Sequence, residues 1–134
     1  SLATNTTADE HTAVGFCALN ANTSGIRNTA VGRQAMKANT TGCCNVGIGS
    51  NALLAGTTGD YNTAVGGASM IGVVTGNCNT AVGAFAALHT TGGWNVAVGG
   101  RALFTNSSGT KNVVVGDYVE VEIIQDSKKL FGKI

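Results

Sequence analysis

The sequence predicts an all-β solenoid, because one short phrase recurs along the chain at a nearly fixed interval. The phrase has the form Asn-Thr-Ala-Val-Gly and occurs in seven copies, which predicts about seven stacked coils. Five of the six steps between successive copies are 17 residues, and one is 16. The 134 residues include 20 Gly and no Pro, which is typical of a tightly stacked backbone. The closing glycines are Gly15, Gly32, Gly49, Gly66, Gly83, Gly99 and Gly116.

Each coil is predicted to contain two short strands and a polar turn. The β-branched Thr-Ala-Val segment indicates the first strand, and the glycine after it supplies a tight bend. An apolar pair two residues later, such as Ala18-Leu19, Ala35-Met36 or Ala52-Leu53, predicts a second and shorter strand. A Ser/Thr-Gly turn closes the coil. The missing residue of the 16-residue coil falls between Gly83 and Gly92, so we expect a tighter loop there.

An asparagine opens most copies of the phrase. Amide side chains stacked one per coil can hydrogen-bond along the solenoid axis, which predicts a structural ladder at a turn. A row of ligand-binding amides is the alternative. The column is His11, Asn28, Asn45, Asn62, Asn79, Asn95 and Asn112.

The alternation of side chains along the first strand predicts two apolar faces. Thr and Val share one side, whereas Ala and Gly share the other. A thin coil can bury only one side within itself, and the sequence leaves open which one. We expect the other side to pack against partner chains in a homotrimer, three chains around an axis being the natural closure for thin rolls. A monomer with one mildly apolar face is the alternative.

The pattern divides the chain into a repeat roll over 1–116 and a terminal cap or neck over 117–134. Seven of the fifteen charged residues fall in the second segment. Val119, Val121 and Ile123 alternate there with glutamates, which predicts one further strand. Such an end segment covers the last coil of a solenoid.

Composition argues against several classes of function. The net charge is +1 and the basic residues are scattered, so a nucleic-acid partner is not expected. No apolar run approaches the ~20 residues of a membrane span, so we expect no membrane insertion in this segment. His11 and His89 lie four to five coils apart, which leaves no catalytic set, so we expect no enzyme. No metal site and no cofactor are expected.

The four cysteines are expected to be free thiols. Cys44 and Cys78 occupy the same repeat position two coils apart, at about 9.6 Å, which exceeds the reach of a disulfide. Cys43 and Cys44 are neighbours and point to opposite sides, and Cys17 lies in an earlier coil. Free thiols argue for assembly in a reducing compartment.

With the repeat written as NTAVG-x-x-AL-x-x-N-TTG, the chain resembles the head repeats of YadA-type trimeric autotransporter adhesins. It is closer still to the longer-period repeats of viral and bacterial fibre proteins. The resemblance covers 11–116 and implies a left-handed parallel β-roll of three intertwined chains. It also implies attachment to host or prey surfaces from the exterior of a cell or virion. Two features depart from the autotransporter pattern, namely four cysteines and no membrane-anchor barrel, and a fibre assembled inside a cell accommodates both.

Variable positions in the repeat are the candidate ligand-binding residues. The column just before the asparagines carries Arg27, Tyr61, Trp94 and Lys111, and the columns after the glycines carry Arg101. Exposed aromatic side chains can stack on a sugar or anchor a protein contact, so we expect a surface glycan or protein receptor. The alternative is that Tyr61 and Trp94 cover a trimer seam or a corner of the roll.

Two other functions compete with attachment. One is ice binding by a ladder of hydroxyl side chains, one per coil. The other is a passive spacer in a fibre. Sequons at Asn5, Asn22, Asn39 and Asn106 are interpreted, except for the first, as by-products of the repeated loop. The hydroxyl ladder is Ser24, Thr41, Thr58, Thr75, Thr91 and Ser108.

Overall fold

The computed structural model describes residues 4–5, 7–73, 75–106, 108–119 and 129–131. Eight strands of three residues each pair in parallel with the next strand, giving one sheet in sequence order. None of the described residues lies in a helix. The predicted all-β repeat solenoid is therefore confirmed, while its handedness stays a prediction. The strands are β1 (Thr12–Val14), β2 (Thr29–Val31), β3 (Val46–Ile48), β4 (Thr63–Val65), β5 (Thr80–Val82), β6 (Val96–Val98), β7 (Val113–Val115) and β8 (Lys129–Phe131).

The strands keep the register of the repeat through the short coil. Thr63 pairs with Thr80 across a 17-residue step, and Thr80 pairs with Val96 across the 16-residue step. Because the strands stay aligned, the connecting segment between β5 and β6 absorbs the missing residue. The sheet is thus uninterrupted from β1 to β8.

The alanine side of the strands faces the chain's own core, which answers the question that the sequence left open. Ala30, Ala64 and Ala97, each at the centre of a strand, are fully buried. Larger side chains from the facing segment of five coils fill the space beside them, and Ala87 holds this position in the short coil. These buried side chains are Leu19, Met36, Leu53, Met70 and Leu103. The outward side of the sheet carries the Thr and Val residues.

The predicted second strand is wrong. The segment from 16 to 21 and its counterparts are turns, and the backbone φ is +54° at Cys17 and +49° at Leu19. Strand residues need strongly negative φ, so this segment curls instead of running straight. Stacking still proceeds through backbone bonds such as that from the N–H of Leu19 to the carbonyl of Ala35, 3.1 Å. The apolar pair is buried, but its backbone does not have the extended conformation that the sequence predicted.

The predicted asparagine ladder is confirmed. The Oδ1 atom of Asn45 accepts a hydrogen bond from the backbone N–H of Asn62 at 2.8 Å. The Nδ2 atom of Asn62 donates to the carbonyl of Gly76 at 2.7 Å, which joins the strand start to the closing turn of its own coil. The asparagines of this column are buried. His11 takes the first position and accepts from the N–H of Asn28 through Nδ1, 3.2 Å.

Strand β8 extends the sheet into the segment predicted as a cap or neck. It pairs in parallel with β7, with Val113 opposite Lys129. Val119 lies outside any strand, but its carbonyl accepts from the N–H of Leu103 at 3.1 Å, which continues the stacking of the coils. Val121 and Ile123, the other residues of the predicted extra strand, lie outside the described residues.

Candidate binding surface

The outward side of the sheet is a continuous apolar surface along β1 to β7, which we call the sheet face. Its final column is aliphatic in every coil, and five members are between 36% and 58% exposed. The Thr/Val column beside it is half-buried in every coil except the first. An exposed apolar strip of this length typically marks a contact surface. The five exposed residues are Val14, Ile48, Val82, Val98 and Val115.

Four of the predicted ligand-binding residues lie in one column at the corner that precedes the strands. Arg27, Tyr61, Trp94 and Lys111 all have φ of 57° or 58° and all are exposed. Tyr61 is 63% and Trp94 is 58% exposed. The backbone N–H of each member bonds along the axis to the residue just before this column in the preceding coil, as in the bond from the N–H of Tyr61 to the carbonyl of Cys43, 3.0 Å. The two aromatic residues are separated by two coils, about 9.6 Å.

The charge of Arg27 is already partnered. Its Nε atom donates to Oε2 of Glu10, one coil below, at 2.7 Å. This hydrogen bond and the charge of Glu10 raise the pKa of Arg27 above its ordinary value. Both side chains are exposed, so the pair is screened by water and adds little to stability. Arg27 is therefore less available to an anionic ligand than an isolated arginine would be.

Arg101 lies in a different column, at the corner that follows the strands. Its guanidinium lies over the rings of Phe85 and Tyr118, which occupy the same position in the preceding and following coils. The structure therefore does not group Arg101 with Arg27, Tyr61, Trp94 and Lys111. Tyr118 was not among the predicted binding residues, because it falls in the segment predicted as a cap. Its 17-residue spacing from Arg101 was the signal that could have found it.

The hydroxyl ladder lies on the surface at the turn that closes each coil. Ser24, Thr41, Thr58, Thr75, Thr91 and Ser108 are all exposed. The asparagines two residues before this ladder in the first two coils, Asn22 and Asn39, are buried. Asn106 is buried likewise, and each of the three donates to the carbonyl of a turn glycine three residues on. These asparagines thus have the same structural role in each repeated loop, which agrees with the interpretation of their sequons as by-products of the repeat.

The side of the solenoid away from the sheet carries a second weakly apolar surface. Leu54, Ile71, Leu88 and Phe104 occupy one position in four consecutive coils and are half-buried. An open depression of about 410 Å³ lies beside Leu54, against the alanines of the neighbouring coils. Its surface is mostly apolar, and Asn20, Gln34 and Lys37 are the polar residues that line it.

The cysteines are free and half-buried, as predicted. The Sγ atom of Cys43 accepts from the N–H of Ile26 at 3.4 Å. Within the described part of the chain, no three His, Cys, Asp or Glu side chains come together to hold a metal ion. Across the same residues there is no helix long and apolar enough to cross a bilayer.

The comparisons with known proteins add no relative. No protein-family model matches the chain, no curated protein matches it, and no solved structure matches it.

Proposed function

We propose that this chain is a non-catalytic attachment module that acts as a homotrimer on the exterior of a cell or virion. The observation that carries the proposal is the corner column of Arg27, Tyr61, Trp94 and Lys111. Its side chains vary and are exposed, whereas the interior of the stack repeats almost unchanged. Exposed aromatic and basic groups on a rigid scaffold are the residues that dominate recognition surfaces. The ligand is a glycan or protein on another surface.

The sheet face supports the homotrimer. Its aliphatic column runs along seven strands with five exposed members in the single chain, and a soluble protein rarely leaves such a strip uncovered. A second and a third copy offer the same strip, so closure around an axis parallel to the stack would cover all three. The corner columns would then lie at the rim of the assembly, where Tyr61 and Trp94 remain open to a ligand.

The free thiols support assembly in a reducing compartment before the fibre reaches the surface. All four cysteines are unpaired and none is fully buried. Proteins that mature in oxidising compartments usually pair such thiols. This proposal also agrees with a fibre built inside a cell.

Retention on a displayed ligand tests the attachment proposal. The full chain, fluorescently labelled, would be applied to a printed glycan array and to erythrocytes before and after surface proteolysis. We expect retention on at least one of these surfaces, and a large loss in the double variant Tyr61→Ala, Trp94→Ala. The variant Ser24→Ala, in the closing turn of an earlier coil, is the control and should bind as the parent does. Absence of retention on both surfaces by an intact oligomer would contradict the proposal.

Ice binding is the second candidate, because the six hydroxyl residues are exposed at one per coil. Parallel coils place them about 4.8 Å apart, a regular array that could order water. These residues lie in turns that contain glycine, not on the sheet, which weakens this candidate. Thermal hysteresis of a dilute solution would support it, and loss of that hysteresis in Thr58→Tyr would confirm the surface. A freezing point equal to the melting point would eliminate it, leaving attachment or a passive spacer.

A further inference from the structure

Three consecutive coils hold an arginine between two aromatic rings on the surface. The guanidinium carbon of Arg101 is 5.8 Å from the ring centre of Phe85 and 5.2 Å from that of Tyr118. Phe85 is 42% and Tyr118 is 61% exposed. Both distances fall within the range of about 6 Å in which a cation is attracted by an aromatic face. The rings therefore orient the guanidinium while it remains open to solvent.

The guanidinium of Arg101 is not in an ion pair with any described carboxylate. Among the described residues the only ion pair joins Arg27 to Glu10, so Arg101 forms none. A guanidinium presents N–H donors in a fixed fork that matches the two oxygens of a carboxylate. Because the two rings already reduce its freedom, Arg101 loses little entropy when a carboxylate binds.

A surface of small residues lies beside the cluster of Phe85, Arg101 and Tyr118, and the carboxylate of Asp117 provides a hydrogen-bond acceptor there. Ala84 and Gly100 separate the cluster from the exposed Val82 and Val98 of the sheet face. The Oδ1 atom of Asp117 lies 2.6 Å from the position that a Cβ on Gly100 would take, so this carboxylate stands over the small residues. A ligand on this surface would therefore meet a cation, two rings and a carboxylate.

The geometry points to a binding site for a carboxylate-bearing sugar, formed by Phe85, Arg101, Asp117 and Tyr118. Arg101 would hold the sugar carboxylate through paired hydrogen bonds. The rings would contact the apolar face of the sugar, and Asp117 would accept hydrogen bonds from its hydroxyl groups. This inference rests on the proposed attachment function and names the ligand class for one part of its surface.

Asp117 also argues against an extended polyanion as the ligand. An acidic peptide or a nucleic acid needs several cations in a row, and this cluster offers one arginine beside a carboxylate. The net charge of +1 gives no further attraction over a distance. A sugar acid carries one charge and several hydroxyl groups, which matches the mixed set of groups here.

Titration of the full chain with defined saccharides tests this inference. The probes are 3′-sialyllactose and trigalacturonic acid as acidic sugars, lactose as the neutral sugar, and hexaglutamate as a simple polyanion. We expect at least one acidic sugar to bind about tenfold more tightly than lactose or hexaglutamate. Only an acidic sugar has both a carboxylate for the guanidinium of Arg101 and hydroxyl groups for the carboxylate of Asp117. Arg101→Gln should abolish that preference. Arg33→Gln, at an exposed arginine of an earlier coil that belongs to neither proposed binding surface, should preserve it.

Three results would overturn the inference: no binding of either acidic sugar, equal binding of lactose, or binding of hexaglutamate as tight as that of the sugars. An unchanged preference in Arg101→Gln would overturn the residue assignment, provided its circular dichroism matches that of the parent. Failure here leaves the attachment proposal intact if the chain is still retained on an array or cell through Tyr61 and Trp94. Absence of retention on every surface would defeat both.

Discussion

The Oδ1 atom of Asn62 accepts a hydrogen bond from the backbone N–H of Asn79, one coil further along the stack, at 2.9 Å. It also accepts from Nδ2 of Asn79 at 3.1 Å. The side chain of one coil thus satisfies the backbone of the next, in an interior where an unpaired polar group is costly. This relationship recurs through the column and links each coil to its neighbour beyond the strand pairing.

Replacing Asn62 with alanine should destabilise the protein by about 2–5 kcal/mol, since it leaves the buried N–H of Asn79 and the carbonyl of Gly76 without this partner. Urea denaturation at one fixed protein concentration measures the change. The matched control is Asn77→Ala, which removes an exposed hydrogen bond from the N–H of Asp60 and should cost less than about 1 kcal/mol. Equal losses of unfolding free energy in the two variants would show that the asparagine ladder does not stabilise the fold more than an exposed hydrogen bond does.

Two adjacent glycines should respond differently to alanine. Gly66 has a φ of +131°, and a Cβ there would lie 2.5 Å from the carbonyl oxygen of Gly83. Gly66→Ala should therefore destabilise by about 2 kcal/mol or more. At Gly67 no described heavy atom lies within 4 Å of the Cβ position, so Gly67→Ala should be neutral or slightly stabilising. The midpoints of thermal unfolding of the two variants give the comparison.

The inward side of the strands should not tolerate a larger side chain. Ala64 is fully buried in the core, so Ala64→Leu should cost about 1–3 kcal/mol or prevent folding. Ala84→Leu places the same side chain on the exposed corner and should change stability by less than about 0.5 kcal/mol. The free energy of unfolding from chemical denaturation distinguishes the two variants. A fully stable Ala64→Leu variant would mean that the alanine side is open.

Thr90 is a buried residue whose hydroxyl lacks a hydrogen-bond partner among the described residues. Val73 holds the equivalent position one coil earlier and is also buried. Thr90→Val should therefore leave the fold unchanged and stabilise it by up to about 1 kcal/mol, since it removes an unsatisfied polar group. A loss of stability in calorimetry would indicate a hidden partner for this hydroxyl.

The 17-residue spacing of the repeat predicted the features that depend on the stacking of the coils. Parallel coils must repeat at a constant interval to stay in register, so the recurrence of the phrase located β1 to β7 and the asparagine ladder. Spacing also predicted a tighter loop in the short coil, and the structure shows that the strands on either side of it stay in register. These features follow from periodicity alone, without knowledge of side-chain packing.

Spacing could not decide the features that depend on backbone dihedral angles or on competing apolar faces. Val31 and Ala30 are both apolar, and only the structure shows that Ala30 is the one buried. The pair at Ala18-Leu19 signalled burial but not the left-handed φ of Leu19. The cluster of Phe85, Arg101 and Tyr118 was divided between the roll and the predicted cap, so its contact became apparent only in three dimensions.

The molar mass of the chain in solution tests the central claim most directly, because the trimer and the covered sheet face depend on each other. Light scattering on a size-exclusion column should give about 40 kDa, three times the 13.4 kDa of one chain. Val98→Glu on the sheet face should lower this mass while circular dichroism stays unchanged, since a buried unpaired charge opposes assembly. A parent mass near 13.4 kDa at every concentration would contradict the trimer and leave the sheet face open to solvent.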